Sequence, residues 1–244
     1  NIVEEFSKSQ FRPAFFELSA NGKGGNPSPL VFRLKDGTKV SFGGIIDRVD
    51  LFKKDGNVYV RVIDYKTGTK DFRIDDISYG LNMQMLLYLF TLCRTGSDAF
   101  KKSIGCEEGS SPIPAGVIYL SANIPLLDAD DYADEQSVLK SAAEELERTG
   151  ILTDNEEILL AMNSDLDQSF IAGIRKRTKD GALSGRALTS AEGFLEIYDK
   201  LESVIVKLST ELRSGVADAN PLRYGKDIPC EYCSAKPICR KIKN

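Results

Sequence analysis

Residues 61–68 read RVIDYKTG, and residues 44–50 just upstream read GIIDRVD. Both segments are rich in β-branched residues, which favour strands. The linker at residues 51–57 contains Asp55 and Gly56, a dipeptide that favours the tight turn of a β-hairpin. The sequence therefore predicts two neighbouring strands joined by a short turn.

The second of these strands ends in a carboxylate and an amine. Alternate side chains of a strand share a face, so Asp64 and Lys66 point to one side and Tyr65 points to the other. The valines at every second position before Asp64 extend an apolar face up to it. Charges at the rim of a core are costly, because desolvation opposes them by roughly several kcal/mol each. The alternatives are a reactive site and an ordinary surface ion pair at a strand end.

The composition suits one large globular domain, or one domain with an appendage. Hydrophobic residues make up 42% of the 244 positions and charged residues 28%, which is enough to bury a substantial core. No apolar run approaches the roughly 18 residues that span a membrane. The net charge of −4 argues against a global basic field for nucleic acid but leaves room for a local basic groove.

The absence of histidine and the placement of the cysteines limit the kinds of catalysis and metal site that this chain can have. Without His, Ser–His–Asp catalysis and His-ligated zinc are excluded, so any reaction must use carboxylates, Lys, Tyr, Cys or a metal held by these. Five Cys, three of them near the C-terminus, suit a reducing compartment and a metal site better than a disulfide framework. The first residues do not read as a signal peptide, and they begin without Met in what resembles the last turns of a helix, so we expect a fragment of a longer cytoplasmic protein.

Short strands dominate the first third of the chain. We predict extended segments at residues 11–18, 30–34 and 39–42, the last of them running on into the strand at 44–50. The two glycines at this junction indicate a bulge or a close backbone approach. Short turns between the strands indicate a mostly antiparallel sheet.

A long helix and a further strand follow. Residues 77–94 are apolar on nearly every side, which predicts a helix buried against the sheet, and residues 114–120 form a strand too apolar for a sheet edge. This order of elements predicts an α+β fold with a mixed α/β core. Cys93 and Cys106 flank a short helical piece, and we expect them to be buried or loop thiols.

Charged segments mark the next part of the chain. The acidic run at residues 128–135 is predicted to be a solvated face rather than a metal cage, and helices are predicted at 135–148 and 154–162. A basic strand at 171–179, followed by a hairpin turn at 180–181, is either solvated or a phosphate contact.

The last long helix carries recognisable end signals. A capping box at residues 189–192 predicts its start, and Gly215 predicts its stop after about residue 213. The spacing of its apolar residues predicts one stripe that packs on the core, formed by Leu195, Tyr198, Leu201, Val204 and Leu208.

Two carboxylates near the ends of adjacent strands are the candidate reactive groups. Asp47 and Asp64 supply hard oxygen ligands, with Lys66 beside them, and this set suits a Mg²⁺ ion that keeps several waters. Such an ion lowers the pKa of a bound water and stabilises charge on a phosphodiester. The backbone carbonyl of Tyr65 is a possible further ligand, and Glu17 is either a third carboxylate or a surface residue.

Three spaced motifs carry a resemblance to a known family. The pattern Gly44-x-x-Asp47, then Asp64-Tyr65-Lys66, then Gln84-x-x-x-Tyr88, resembles the RecB branch of the PD-(D/E)XK nucleases. Glu17 matches the glutamate that these proteins carry ahead of the first motif. The tail Cys230-x2-Cys233-x5-Cys239 resembles the cysteine cluster that closes the nuclease domain in iron–sulfur members of the branch. The resemblance covers most of residues 11–240.

The resemblance implies a restriction-endonuclease-like core, a central mixed sheet flanked by helices with helical additions. The nuclease domain would span residues 1–225, and a Cys-rich segment at residues 226–244 would pack on it. The implied site residues are Asp47 and Asp64 as Mg²⁺ ligands with the Tyr65 carbonyl, Lys66 as catalytic lysine, Glu17 as a supporting acid, and Gln84 and Tyr88 as groups that position DNA or the active-site network. The last two have an alternative, a buried Gln and Tyr satisfied by backbone.

The function implied is that of a metal-dependent DNA nuclease domain in one subunit of a bacterial helicase–nuclease. It would cut single-stranded DNA released from unwound duplex ends, in double-strand-break processing and recombinational repair, with a helicase–nuclease partner subunit. Two alternatives stay open: a catalytically silent DNA-binding or structural module with the same fold, and a zinc-ribbon-like interaction module.

The chain departs from the family pattern in two ways, and each concerns a residue that the family has and this chain lacks. Members of the branch usually carry an upstream His, and a 4Fe–4S cluster needs four thiolates whereas Cys230, Cys233 and Cys239 are three. Both gaps are explained if the chain begins inside the domain. Cys93 or Cys106 is a possible substitute ligand, and a zinc site or an empty tail is the alternative. We expect a chain of this length to lack the cluster.

Overall fold

A computed structural model describes residues 6–67, 72–95, 97–121, 148–164, 174–177, 179, 181–218, 221, 230 and 233–239. The strands and helices in chain order are β1 (Arg12–Ser19), β2 (Leu30–Arg33), β3 (Lys39–Phe42), β4 (Ile45–Lys54), β5 (Asn57–Lys66), a 3₁₀ helix (Ile74–Tyr79), α1 (Gln84–Arg94), α2 (Asp98–Ile104), β6 (Ile113–Ser121), β7 (Thr149–Thr153), α3 (Glu156–Met162), β8 (Arg175–Lys176), β9 (Leu183–Ser184), β10 (Leu188–Thr189) and α4 (Ala191–Arg213). The predicted acidic run and all but the last residue of the predicted helix at 135–148 lie outside the described residues. Among those described, no helix is long and apolar enough to cross a membrane.

A mixed six-stranded sheet forms the centre of the fold, in the order β1-β4-β5-β6-β7-β10. β4 pairs antiparallel with β1 and β5, β6 pairs parallel with β5 and antiparallel with β7, and β10 pairs parallel with β7. Helices flank this sheet, which confirms the predicted α+β class with a mixed core. The turn at Asp55 and Gly56 joins β4 to β5 as predicted, and β6 is an interior strand.

The strands at the start of the chain do not all enter this sheet. β2 and β3 pair with each other as a separate antiparallel hairpin. Phe32 of β2 is fully buried, and its ring lies 5.9 Å from Phe42 and 6.1 Å from Tyr198 of α4. Gly43 and Gly44 end β3 and separate it from β4, so the prediction that β3 runs on into β4 is wrong. The hairpin packs against α4 and does not join the central sheet, although the sequence had predicted that it would.

The predicted helix at residues 77–94 is two helices. The 3₁₀ helix ends at Gly80, whose φ of 77° lies in the left-handed region, and Asn82 follows with φ of 55°. Left-handed residues end a right-handed helix, so α1 starts afresh at Gln84. The apolar periodicity continues across this break, which is why the sequence predicted one helix.

The sheet separates two apolar clusters. Val60 and Val62 of β5 pack with Leu86 of α1 and Leu201 of α4 on one face. Ile63 of the same strand belongs to the other cluster, together with residues of β6 and α3. The predicted alternation of β5 is therefore confirmed: both of its faces are buried, and each faces a different helical layer.

The start and the buried face of α4 differ from prediction by about one residue. Ser190, not Thr189, is the N-cap, because its hydroxyl accepts a hydrogen bond from the Gly193 N–H at 3.1 Å. Of the predicted stripe, Leu201 is fully buried, and Tyr198 and Val204 are half-buried, but Leu195 and Leu208 are 54% and 42% exposed. The other buried positions are 194, 197 and 205. Contacts with the hairpin and the 3₁₀ helix decide which face of α4 is buried. The apolar spacing alone was compatible with both the predicted and the observed face.

A buried charged cluster on the α3 side of the sheet was not anticipated from the sequence. Asp50 is fully buried and accepts hydrogen bonds from Arg48 Nε and Nη2, both at 2.7 Å, and from Arg61 Nη2 at 2.6 Å. The two guanidinium groups also lie over the rings of Phe6 and Phe11, at 5.1 and 5.0 Å. This cluster joins β4 to β5 through side chains, directly behind the strand ends that carry Asp47 and Asp64.

We predict that Asp50→Ala destabilises the domain by about 3–5 kcal/mol, because it leaves two buried guanidinium groups without their carboxylate. Urea unfolding followed by circular dichroism measures the change. Asp36→Ala is the matched control, since Asp36 and its partner Arg213 are both more than half exposed and such pairs contribute little. Equal midpoints for the two variants would contradict a stabilising role for the cluster.

Candidate active site

The sheet opens into two halves at the ends of β4 and β5. Pairing between these strands runs from Lys54 and Asn57 to Arg48 and Ile63, although β4 begins at residue 45 and β5 ends at residue 66. Beyond this point β4 stays paired with β1, and β5 stays paired with β6. We call this opening the fork, formed by residues 45–47 of β4 and 64–66 of β5. Asp47 and Asp64 are the first residues past the last pair, one on each side.

Asp47 bridges the fork with its side chain. Its Oδ2 accepts a hydrogen bond from the backbone N–H of Tyr65 at 3.0 Å, in place of a backbone acceptor from the neighbouring strand. The carboxylate is thereby held beside Asp64, which precedes Tyr65. Asp47 is half-buried, so it faces the opening rather than the core.

Asp64 and Lys66 form an ion pair on the same face of β5, as the strand period predicted. Lys66 Nζ lies 2.5 Å from Asp64 Oδ2, and the side chains are 32% and 4% exposed, respectively. The ammonium offsets the cost of burying the carboxylate while remaining within reach of solvent. The structure therefore places a buried carboxylate and an accessible ammonium at the mouth of the fork.

Tyr119 lies beside Asp64 and Lys66, and it was not among the site residues predicted from the sequence. It pairs with Asp64 across β5 and β6, and the centre of its ring lies 5.8 Å from Lys66 Nζ. Burial, and secondarily the nearby Asp64 charge, raise the pKa of Tyr119, so the phenol stays neutral in neutral solution. Lys66 thus lies between a carboxylate and an aromatic face, a placement that only the pairing of β5 with β6 creates.

Glu17 lies at the edge of the same region but is exposed. It is in β1 with φ of 50°, beside Leu18, which pairs with Ile46 of β4. In the part of the chain that the structure describes, no three acidic or cysteine side chains are grouped closely enough to hold a metal ion. Glu17 therefore does not join Asp47 and Asp64 in a preformed three-acid cluster, and its supporting role stays a prediction.

Gln84 and Tyr88 meet on the first turns of α1, as their spacing predicted. Gln84 Nε2 donates to Tyr88 Oη at 3.1 Å, and Gln84 is exposed, so the alternative of a buried Gln satisfied by backbone is wrong. A Cβ at Gly44 would lie only 2.7 Å from Tyr88 Oη. The predicted close backbone approach is thus confirmed: the absence of a side chain at Gly44 lets Tyr88 lie against the fork.

The family model of the PD-(D/E)XK nuclease superfamily matches residues 2–240, nearly the whole chain. This chain belongs to the PD-(D/E)XK nuclease superfamily. Among its relatives, the AddB protein of Clostridium acetobutylicum, one subunit of an ATP-dependent helicase/deoxyribonuclease, is 28% identical over 239 residues. The corresponding proteins from Acetivibrio thermocellus and Clostridium tetani are 29% and 31% identical over 240 and 241 residues. Each match covers 98% of this chain and 20% of the relative, so the chain spans about a fifth of their length.

The fork has a support behind it that the motifs did not reveal. Arg48 Nη1 donates to Tyr65 Oη at 3.2 Å, which draws the Tyr65 side chain to the face opposite Asp64, as the strand period predicted. Arg48 is adjacent to Asp47, and Tyr65 is adjacent to Asp64. The buried cluster around Asp50 therefore contacts both of the residues that neighbour the carboxylates and supports the base of the fork.

The donor set at the fork fits one divalent cation. Asp47 and Asp64 provide two carboxylates at the fork, and a Mg²⁺ ion is commonly bound by one or two carboxylates with water in the remaining positions. The carbonyl of Tyr65 lies between them in the chain, and its role as a ligand stays a prediction.

The cysteines do not form a complete metal site within the described residues. Cys230 is buried, Cys239 is half-buried and Cys233 is exposed. The Cys233 N–H donates to the Cys230 carbonyl at 3.3 Å, and residues 234–238 form a turn between Cys233 and Cys239. No three of these thiols are grouped as potential ligands there. Cys93 and Cys106 are free thiols, as expected, and burial raises the pKa of both, which disfavours the thiolate that binds metal.

We predict that Gly44→Ala destabilises the domain by about 1–3 kcal/mol, because the added methyl overlaps the Tyr88 hydroxyl. Tyr88→Phe in the same chain is expected to recover part of this loss by removing the closest atom. Urea unfolding of both single variants and the double variant measures the coupling. If the double variant loses as much free energy of unfolding as the two single variants together, then Gly44 does not act through Tyr88.

Proposed function

We propose that this chain is the nuclease domain of an AddB-type subunit of a bacterial helicase–nuclease. It would hydrolyse phosphodiester bonds of single-stranded DNA, with Mg²⁺, during the processing of double-strand breaks and recombinational repair in the cytoplasm. The observation that carries the proposal is the fork, where Asp47, Asp64 and Lys66 converge. The names of the relatives, which are helicase/deoxyribonuclease subunits, support the same activity.

Asp47 and Asp64 would hold the Mg²⁺ ion, with the Tyr65 carbonyl as a further ligand. When bound, the ion supplies a water of lowered pKa and offsets negative charge on the phosphate. The hydrogen bond from Tyr65 N–H fixes one Asp47 oxygen, so this carboxylate keeps its orientation before DNA arrives. Preorganisation of this kind lowers the reorganisation that the reaction requires.

Lys66 would be the cation of this chain that meets the scissile phosphate. Its ammonium is about one-third exposed and held by Asp64, so it can donate a hydrogen bond to a phosphate oxygen without leaving the fork. A positive charge at this place stabilises the charge that develops on the phosphate oxygens as the bond breaks. Gln84 and Tyr88, linked to each other against Gly44, would position the sugar–phosphate strand beside it.

A helicase–nuclease partner fits the charge of the chain. The net charge of −4 offers no overall attraction to the DNA backbone, which dominates nucleic-acid affinity. An AddA-like helicase–nuclease subunit, together with the remaining four-fifths of an AddB-like protein, would supply most of the DNA-binding surface and deliver the unwound strand.

We predict that Asp64→Ala lowers Mg²⁺-dependent cleavage of single-stranded DNA by at least about 10²-fold, because it removes one ligand and the partner of Lys66. The assay uses the full-length protein with its partner and measures cleavage and ATP-dependent unwinding in parallel. Unwinding is expected to be unchanged, and Asp36→Ala serves as the matched surface control. Calorimetric titration with Mg²⁺ gives a readout besides activity.

Equal cleavage by Asp64→Ala and the wild type would reject the catalytic assignment. Wild-type protein that binds DNA but never cuts it would favour the catalytically silent module instead.

We infer that Cys230, Cys233 and Cys239 supply three ligands of a 4Fe–4S cluster in the longer protein, with the fourth thiolate outside this chain. A cubane cluster needs four thiolates, and the raised pKa values of Cys93 and Cys106 make them poor substitutes.

We predict that the 244-residue chain purifies without the brown absorbance of a cluster, whereas the full-length protein contains it and loses it in Cys233→Ser. Iron and acid-labile sulfide assays check both proteins. Stoichiometric iron and sulfide in the short chain would overturn the need for an outside ligand.

A further inference from the structure

A pocket of about 390 Å³ opens beside the fork, between the end of β3 and the first turns of α1. Gly43, which lines it, directly precedes Gly44 of the close approach. Tyr88 and Tyr119 also line it. Tyr88 lies against Gly44, which directly precedes the fork, and Tyr119 lies against Lys66 of the fork. A group bound in this pocket is therefore an immediate neighbour of a group bound at the fork.

The walls of the pocket are aromatic, apolar and neutral. Phe42, Met83 and Leu87 provide apolar surface, and the two tyrosines provide rings. None of the described residues that line the pocket is an acid or a base of the Asp, Glu, Lys or Arg type. A phosphate would find no opposite charge here, whereas a flat heteroaromatic group would find stacking surface and a few amide and hydroxyl groups.

The outer wall of the pocket is held in place before any ligand binds. Asp76 is 7% exposed, and its Oδ2 accepts a hydrogen bond from Asn82 Nδ2 at 2.6 Å. The Leu81 N–H donates to the Asp76 carbonyl at 3.1 Å, and the Gly80 N–H donates to the Ile77 carbonyl at 2.9 Å. These bonds fix the loop between the 3₁₀ helix and α1, so the pocket is preformed, as ligand sites usually are.

We propose that this pocket takes one unstacked nucleobase of the DNA strand whose phosphate lies at the fork. The proposal rests on the nuclease function above and adds a reason for single-strand selectivity. Its volume lies at the lower end of the range for ligand pockets, which suits one base rather than several. A base in a duplex is stacked and paired, so it must be extruded before it can enter, whereas a base in a single strand enters freely.

The test uses the full-length protein with its partner and single-stranded oligonucleotides in which one abasic site is moved along the strand. With the wild type, an abasic site at one position near the cut is expected to raise KM about tenfold, because one base loses its stacking contacts. Met83→Ala and Leu81→Ala shorten the pocket wall and are expected to shrink this difference. Leu195→Ala, at a position 54% exposed on α4, is the matched control and is expected to preserve it.

A second readout does not depend on cleavage. Oligonucleotides that carry 2-aminopurine at successive positions are bound without Mg²⁺, and fluorescence is expected to change at one position in the wild type but not in Met83→Ala. Cleavage without any positional effect would overturn the pocket proposal and leave the nuclease function intact. A positional fluorescence change without cleavage would support the pocket and reject the nuclease function.

Discussion

The hydrogen bond from Tyr65 N–H to Asp47 Oδ2 is the interaction on which the site depends. Two adjacent strands part at Arg48 and Ile63, and a side chain rather than a backbone carbonyl spans the gap. Backbone groups that leave a ladder need another partner, because an unsatisfied buried N–H is costly. The carboxylate satisfies this need and is itself placed beside Asp64. This one bond thus links the two strands across the fork and orients the carboxylate that we propose as a Mg²⁺ ligand.

Each face of the sheet carries its own group of paired charges close to the fork. Asp64 and Lys66 pair on the α1 side, and Arg48, Asp50 and Arg61 form the buried cluster on the α3 side. Buried ion pairs are weak evidence for stability, since desolvation opposes them. Their place here indicates a different use: the cluster contacts Tyr65 and includes Arg48, the neighbours of Asp64 and Asp47, and so supports the strand ends that carry both carboxylates.

Sequence patterns predicted the elements better than their arrangement. The period of β5 placed Asp64 and Lys66 on one face and Tyr65 on the other, since strand geometry leaves no alternative. The helix period failed where backbone conformation interrupts it, at Gly80 and Asn82. It was also ambiguous in α4, where the exposed Leu195 fits an apolar stripe as well as buried neighbours do. Local spacing contains no information on which neighbour an apolar side chain will meet.

The sequence by itself determined which groups are available for chemistry: two acids, a lysine and a glycine at motif spacing, and no histidine. Only the tertiary structure decided which groups meet them. Tyr119 reaches Lys66 because β5 pairs parallel with β6, and Tyr88 reaches Gly44 because α1 packs across the open end of the sheet. These contacts join residues that are distant in the chain, and their formation depends on strand pairing and packing that no local pattern encodes.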